Sequence, residues 1–182
     1  STTDTLLKVF SLTRAEINDV LSKEKLILAI TDKDNEIALL AKSHVNALKS
    51  YITYIGNLEK QASDEMTTDE DIKLMASDFK TWREQYDSEI KETLDLILFL
   101  QARAVLATAN SRMILIVGDV KKLYTVASKT DVDTLNKLLL LAKKNLQNAR
   151  INQDTARTAL LESDNEIFEK NIKDEFAKIF IT

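Results

Sequence analysis

Apolar residues recur every three or four positions along most of this chain, the period of an α-helix with one buried face. Between residues 37 and 62 the stripe reads Ile37, Ala41, Val45, Leu48, Ile52, Ile55 and Ala62. Between 75 and 94 it reads Met75, Phe79, Trp82, Tyr86, Ile90 and Leu94. From 135 onward it runs Leu135, Leu138, Ala142, Leu146, Ala149, Gln153, Ala156, Leu160, Ser163 and Ile167, a heptad seam. The middle of that seam is small or polar, so a neighbouring backbone can approach closely there.

Three start signals cut the pattern into segments. Thr13-Arg14-Ala15-Glu16 reads as a capping box, a hydroxyl followed three residues later by Glu. Thr67-Thr68-Asp69-Glu70 is a second, inside the acidic stretch Asp64–Asp71, where negative charge suits the positive end of a helix dipole. Thr130-Asp131-Val132-Asp133 is the third. The predicted helices lie near 12–62, 67–128 and 131–181, each roughly 75–90 Å long at 1.5 Å per residue. The expected fold is all-α: residues 1–182 form a single elongated antiparallel bundle of three to four long helices with coiled-coil-like packing. A break at 31–35 would make the fourth helix, and Gly56 and Gly118 are secondary candidates for a break.

Composition sharpens this picture. The 182 residues include no proline and only two glycines, so tight turns must be few and elements long. Apolar residues make up 45%, enough to bury a core. A net charge of −4 speaks against a nucleic-acid partner, which would select a basic face. Without cysteine there is no disulfide, thiolate metal site or thiol nucleophile. Residues 1–10 carry neither the basic start nor the apolar core of a secretory signal. The stretch "TLDLILFLQARAVLATANSRMILIVG" (93–118) is apolar on more than one face at Leu96–Leu100 and at Met113–Val117. It predicts a helix buried on two sides, with contact to a membrane or partner as the sharper reading. Asp95, Arg103 and Arg112 interrupt it, leaving no run long enough to span a bilayer.

Candidate chemistry is sparse. Asp-Asn-Glu-Ile occurs twice, at 34–37 and 164–167. Asp32-Lys33-Asp34 before the first copy opens like a calcium loop, but the sixth position is Ile37 and the twelfth Ser43, where that loop needs Gly and Glu. The second copy falls on the heptad seam, which places Ile167 toward the core. His44 is the sole histidine, and a single imidazole builds neither a His-rich metal site nor an acid–base pair without partners. Carboxylates read as solvated pairs such as Asp87 with Lys91. Glu-x-x-His, the signature of di-iron bundles, is absent. The residues therefore predict no catalytic, cofactor-binding or metal site and no enzyme. Tyr51, Tyr54, Trp82 and Tyr86 are amphipathic aromatics at helical spacing. They read as core packing or, together with Phe99, as a partner or lipid-headgroup contact.

Two stretches carry a family resemblance. "LTRAEI" (12–17) looks like the opening of the membrane-binding subunit of alpha-xenorhabdolysin-type binary toxins. "SKTDVDTLNKLLLLAKKNLQNARINQDTARTALLESDNEIFEKNIKDEF" (128–176) resembles the third tail helix of the wider cytolysin A family, and "FKTWREQY" (79–86) lies on a helix where related enterotoxins also carry a Trp. The resemblance implies a secreted or extracytoplasmic pore-forming toxin component. Such a component binds a second subunit or itself, and a lipid membrane, without a small-molecule cofactor. The family's apolar, Gly/Ala-rich head has no counterpart within residues 1–182, so the implied role is that of a soluble tail or of a subunit that does not itself insert. An alternative expectation is an extracytoplasmic sensor domain of a chemoreceptor or histidine kinase, holding a small ligand between helices. Arg103, Arg112, Arg150 and Arg157 would then supply cations. An intracellular coiled-coil adaptor is the third expectation.

Overall fold

The computed structural model describes residues 2–24 and 34–181. Among these residues the fold is all-α, with five helices: α1 (Thr2–Leu21), α2 (Asn35–Ala62), α3 (Asp69–Leu123), α4 (Lys129–Leu161) and α5 (Asn165–Phe180). Two compact units divide the chain, residues 1–97 and 98–182, and α3 contributes its first part to one and its last part to the other.

In unit 1, α1, α2 and the first half of α3 surround one core. Phe10 and Ile17 of α1, Ile37, Ala41 and Ile55 of α2, and Tyr86 of α3 are fully buried. Each such Ile or Phe contributes about 1.5–3 kcal/mol by leaving water. The α2 stripe is buried at Ile37, Ala41, Val45, Leu48, Ile55 and Ala62, with Ile52 half-buried. The α3 stripe is buried at Phe79, Tyr86 and Ile90, half-buried at Met75 and Trp82, and exposed at Leu94. In unit 2, Leu106 and Met113 of α3 pack on Leu146 and Ala149 of α4 and Ile179 of α5. Ala149, Ala156 and Ala159 are buried along the α4 seam, and these small side chains let α5 lie close against α4.

Several expectations need correction. The first helix starts at Thr2, and Thr13 lies inside it. The Thr13 hydroxyl donates to the Val9 carbonyl at 3.0 Å and accepts from Arg83 at 2.9 Å, so it caps nothing. The second capping box sits one residue later than the sequence suggests. Thr68 N–H donates to the Asp71 carboxylate at 2.9 Å, and Asp71 N–H donates back to the Thr68 hydroxyl at 3.2 Å. The third cap is Ser128, which accepts from Asp131 N–H at 3.2 Å. Helices continue through both glycines.

The largest correction concerns the second Asp-Asn-Glu-Ile. The seam is not continuous: α4 ends at Leu161 and α5 begins at Asn165. Ser163 adopts a left-handed conformation, φ 57°. Asp164 N–H donates to the Ala159 carbonyl at 2.8 Å and Ser163 N–H to that of Leu160 at 3.4 Å, the two bonds of a Schellman C-terminus. Asp164 then caps α5, accepting from Ile167 N–H at 3.1 Å. Asp34 caps α2 in the same way, accepting from Ile37 N–H at 3.3 Å. The repeat is thus one N-cap used twice. Ile167 is 45% exposed, and Phe168 takes the buried place. The expected break at 31–35 lies partly outside the described residues, and within them α2 starts just after Asp34.

The apolar blocks of α3 part ways as well. Leu96, Ile97, Phe99 and Leu100 are buried. Of Met113–Val117 only Met113 is, while Ile114 is 73% and Leu115 68% exposed.

Candidate functional site

Among the described residues, exposed apolar side chains gather around a groove in unit 2. The last turns of α3, the first half of α4 and the C-terminal end of α5 enclose an open groove of about 660 Å³. Met113, Ile116 and Val120 line it from α3, Leu135, Leu138 and Leu139 from α4, and Ile179 and Phe180 from α5, with Arg112 at its edge. The groove lies at the level where α3 runs on to Leu123 and α4 starts back at Lys129. Among the described residues of unit 2 no third helix covers that stretch. Ile116, Leu138 and Phe180 consequently stand in water, and Leu140, Leu141 and Ile181 beside them are more than half exposed. A concentration of exposed large apolar side chains of this kind marks an interaction surface. Its signal in the sequence was the run Leu138–Leu141, apolar all round a helix that is covered on one side only.

The aromatic residues singled out from the sequence are brought together, but with one another. Trp82 stacks on Tyr86 at 4.9 Å between ring centres, Tyr51 meets Trp82 edge-on at 5.3 Å, and Tyr54 lies 5.0 Å from Trp82. Phe10, Phe79 and Trp82 continue the cluster. Tyr86 is fully buried and its hydroxyl donates to Glu16 at 2.8 Å. Burial first, and then that bond, raise its pKa well above the ordinary tyrosine value. Tyr51, Tyr54 and Trp82 keep part of their surface in water. Phe99 belongs to unit 2, is 1% exposed, and carries the Arg103 guanidinium over its ring. Tyr86 and Phe99 therefore have no surface to offer a partner in this conformation.

Of the four arginines proposed for a ligand, Arg112 edges the groove, Arg103 covers Phe99, Arg150 donates to Asn110 at 2.7 Å and Arg157 is half-buried on α4. Asp32 of the calcium-like stretch lies outside the described residues, and Asp34 is occupied as a cap.

His44 faces inward from α2 and is 5% exposed. Its Nδ1 meets the Glu89 carboxylate of α3, and Glu92 lies one turn further along the same helix. The two carboxylates raise the pKa of the Tyr51 hydroxyl, after the larger effect of its burial. This grouping was invisible in the sequence, because His44 and Glu89 are 45 positions apart.

Comparison with known protein families, curated proteins and solved structures finds no match.

No helix among the described residues is long and apolar enough to cross a membrane.

Proposed function

We propose that this chain is a non-enzymatic component of a secreted or extracytoplasmic pore-forming toxin, acting by association with a partner subunit or further copies of itself and by membrane binding. One observation supports the reading above the others: the exposed apolar groove of unit 2, framed by Ile116, Leu138 and Phe180. A groove between helices takes an amphipathic helix by its apolar face, with anchors at i, i+3 or i+4 and i+7. A subunit that assembles carries such a surface in advance. The reading also proposes one elongated antiparallel bundle of three to four long helices. Small-angle scattering tests that proposal, and a radius of gyration near the ~16 Å of a compact chain this size refutes it.

The functional test uses the full chain. Sedimentation equilibrium is expected to give a mass that rises with protein concentration, and liposomes are expected to pull the chain down. Leu138→Glu combined with Phe180→Glu should abolish both while leaving the helical circular dichroism intact. A chain that stays monomeric and ignores liposomes refutes the reading.

The same groove favours a second reading, a ligand-binding sensor domain. Its volume is that of a small-molecule site, and Arg112 at the edge suits a carboxylate on an otherwise apolar ligand. That reading expects a rise in melting temperature with some organic acid, and a flat response across a broad panel counts against it.

A further inference from the structure

His44 sits on the inner face of α2, next to the buried Val45 and near Ala41 and Leu48. Two carboxylates of α3, Glu89 and Glu92, converge on it, and one donor atom from each of the three residues lies within 4.8 Å of the others. Metal bonds of about 2.0–2.2 Å to nitrogen and oxygen place two ligands of one ion roughly 3–4.4 Å apart. Small side-chain adjustments therefore bring all three donors onto one centre. We propose that His44, Glu89 and Glu92 form a binding site for a divalent first-row transition-metal ion of the Zn²⁺ class, clamping α2 to α3.

Three features carry the assignment. Charge is the first. Glu89 and Glu92 are three residues apart on one helix face and repel each other. Among the described residues neither is ion-paired with a lysine or arginine; Glu89 meets His44, and Glu92 accepts a long bond of 3.4 Å from the Ser88 hydroxyl. A dication held between the two carboxylates relieves that repulsion. Donor type is the second. One imidazole nitrogen with two carboxylates suits Zn²⁺, Co²⁺, Fe²⁺ or Mn²⁺. All-oxygen sites suit Mg²⁺ and Ca²⁺ instead, and sulfur sites suit Cu⁺. Access is the third. The His44 side chain is 6% exposed while that of Glu89 is 22% exposed, so an ion enters on the carboxylate side and keeps water on its remaining positions. Because the ligands come from two helices, binding is linked to the folding of unit 1. The site is independent of the groove in unit 2 and stands whether or not the toxin reading holds.

The competing description is a plain hydrogen-bonded pair of His44 and Glu89. That pair has no use for Glu92, so Glu92→Gln separates the two descriptions. The full chain is stripped with a chelator and titrated with Co²⁺, followed by visible absorbance, with Zn²⁺ as competitor. The expected result is one ion per chain and a rise in melting temperature on loading. His44→Gln and Glu92→Gln should each weaken binding by at least about tenfold, by analogy with losses around known metal sites. Glu92→Gln is expected to have a metal-free melting temperature no lower than that of the wild type, since it removes one of two repelling charges, so its loss of binding does not report misfolding. Absence of saturable binding at submillimolar metal, or a Glu92→Gln variant that binds as tightly as the wild type, overturns the proposal.

Discussion

Glu175 is a fully buried carboxyl on α5, and replacing it with Gln should reshape how unit 2 responds to pH. Gln153 donates to its Oε1 at 2.8 Å, while Oε2 is buried with no hydrogen-bond partner. Burial is the main cause that pushes its pKa from 4.5 up to about 7, with Asp154 adding to the rise and the Gln153 bond opposing it. The folded state therefore holds this proton more tightly than the unfolded state. The stabilisation is complete below the unfolded value of 4.5 and is lost as pH rises toward the folded value of about 7. A difference of about 2.5 units at 1.36 kcal/mol each amounts to about 3 kcal/mol across that window. Gln has the same shape and no proton to lose, so the variant lacks this slope. Urea unfolding of wild type and Glu175→Gln at a series of pH values between 4 and 8 measures it, and subtracting the two curves removes the other titrating groups. The variant should gain on the wild type steadily up to about pH 7 and hold a constant margin above it. Parallel curves would mean that the carboxyl is ionised in the folded state or is not buried, and the reasoning fails.

Three further outcomes follow from the local geometry. Asp34→Ala and Asp164→Ala should each cost about 1 kcal/mol, since each removes the acceptor of a helix-capping N–H; thermal melts of the two variants check this. Ser163→Gly should stabilise the chain by roughly 1 kcal/mol, because glycine adopts the left-handed backbone there without a Cβ penalty; an unchanged or lower melting temperature contradicts the assignment of that turn. Ala156→Asp should destabilise by about 3–5 kcal/mol by burying an unpaired charge where α4 has no exposed surface, and unaltered denaturant unfolding would show that the seam is looser than described.

What the sequence determined by itself is the class of structure. Without proline and with two glycines the chain could form few tight turns, and apolar spacings of three and four leave helices as the way to bury 45% apolar residues. The α2 stripe was legible residue by residue, because local periodicity and burial report the same face. Helix ends were less legible. Any Ser, Thr or Asp near a periodic segment can cap, and which one does depends on the register of the first turn, as Thr68 and Ser128 illustrate. The break at Ser163 had no glycine to announce it, since Ser occupies the left-handed position.

Tertiary structure alone decided the rest. Leu96–Leu100 and Met113–Val117 are equally apolar in sequence, yet one block is largely buried and most of the other stands in water. Burial depends on whether a neighbouring helix packs at that level, and no periodicity within α3 encodes that. The aromatic residues looked equally fit for a partner or a core, and packing turned them onto one another. The convergence of His44 with Glu89 and Glu92 is of the same kind. No periodicity within either helix encodes it, because only the antiparallel pairing of α2 with α3 fixes which turns face each other.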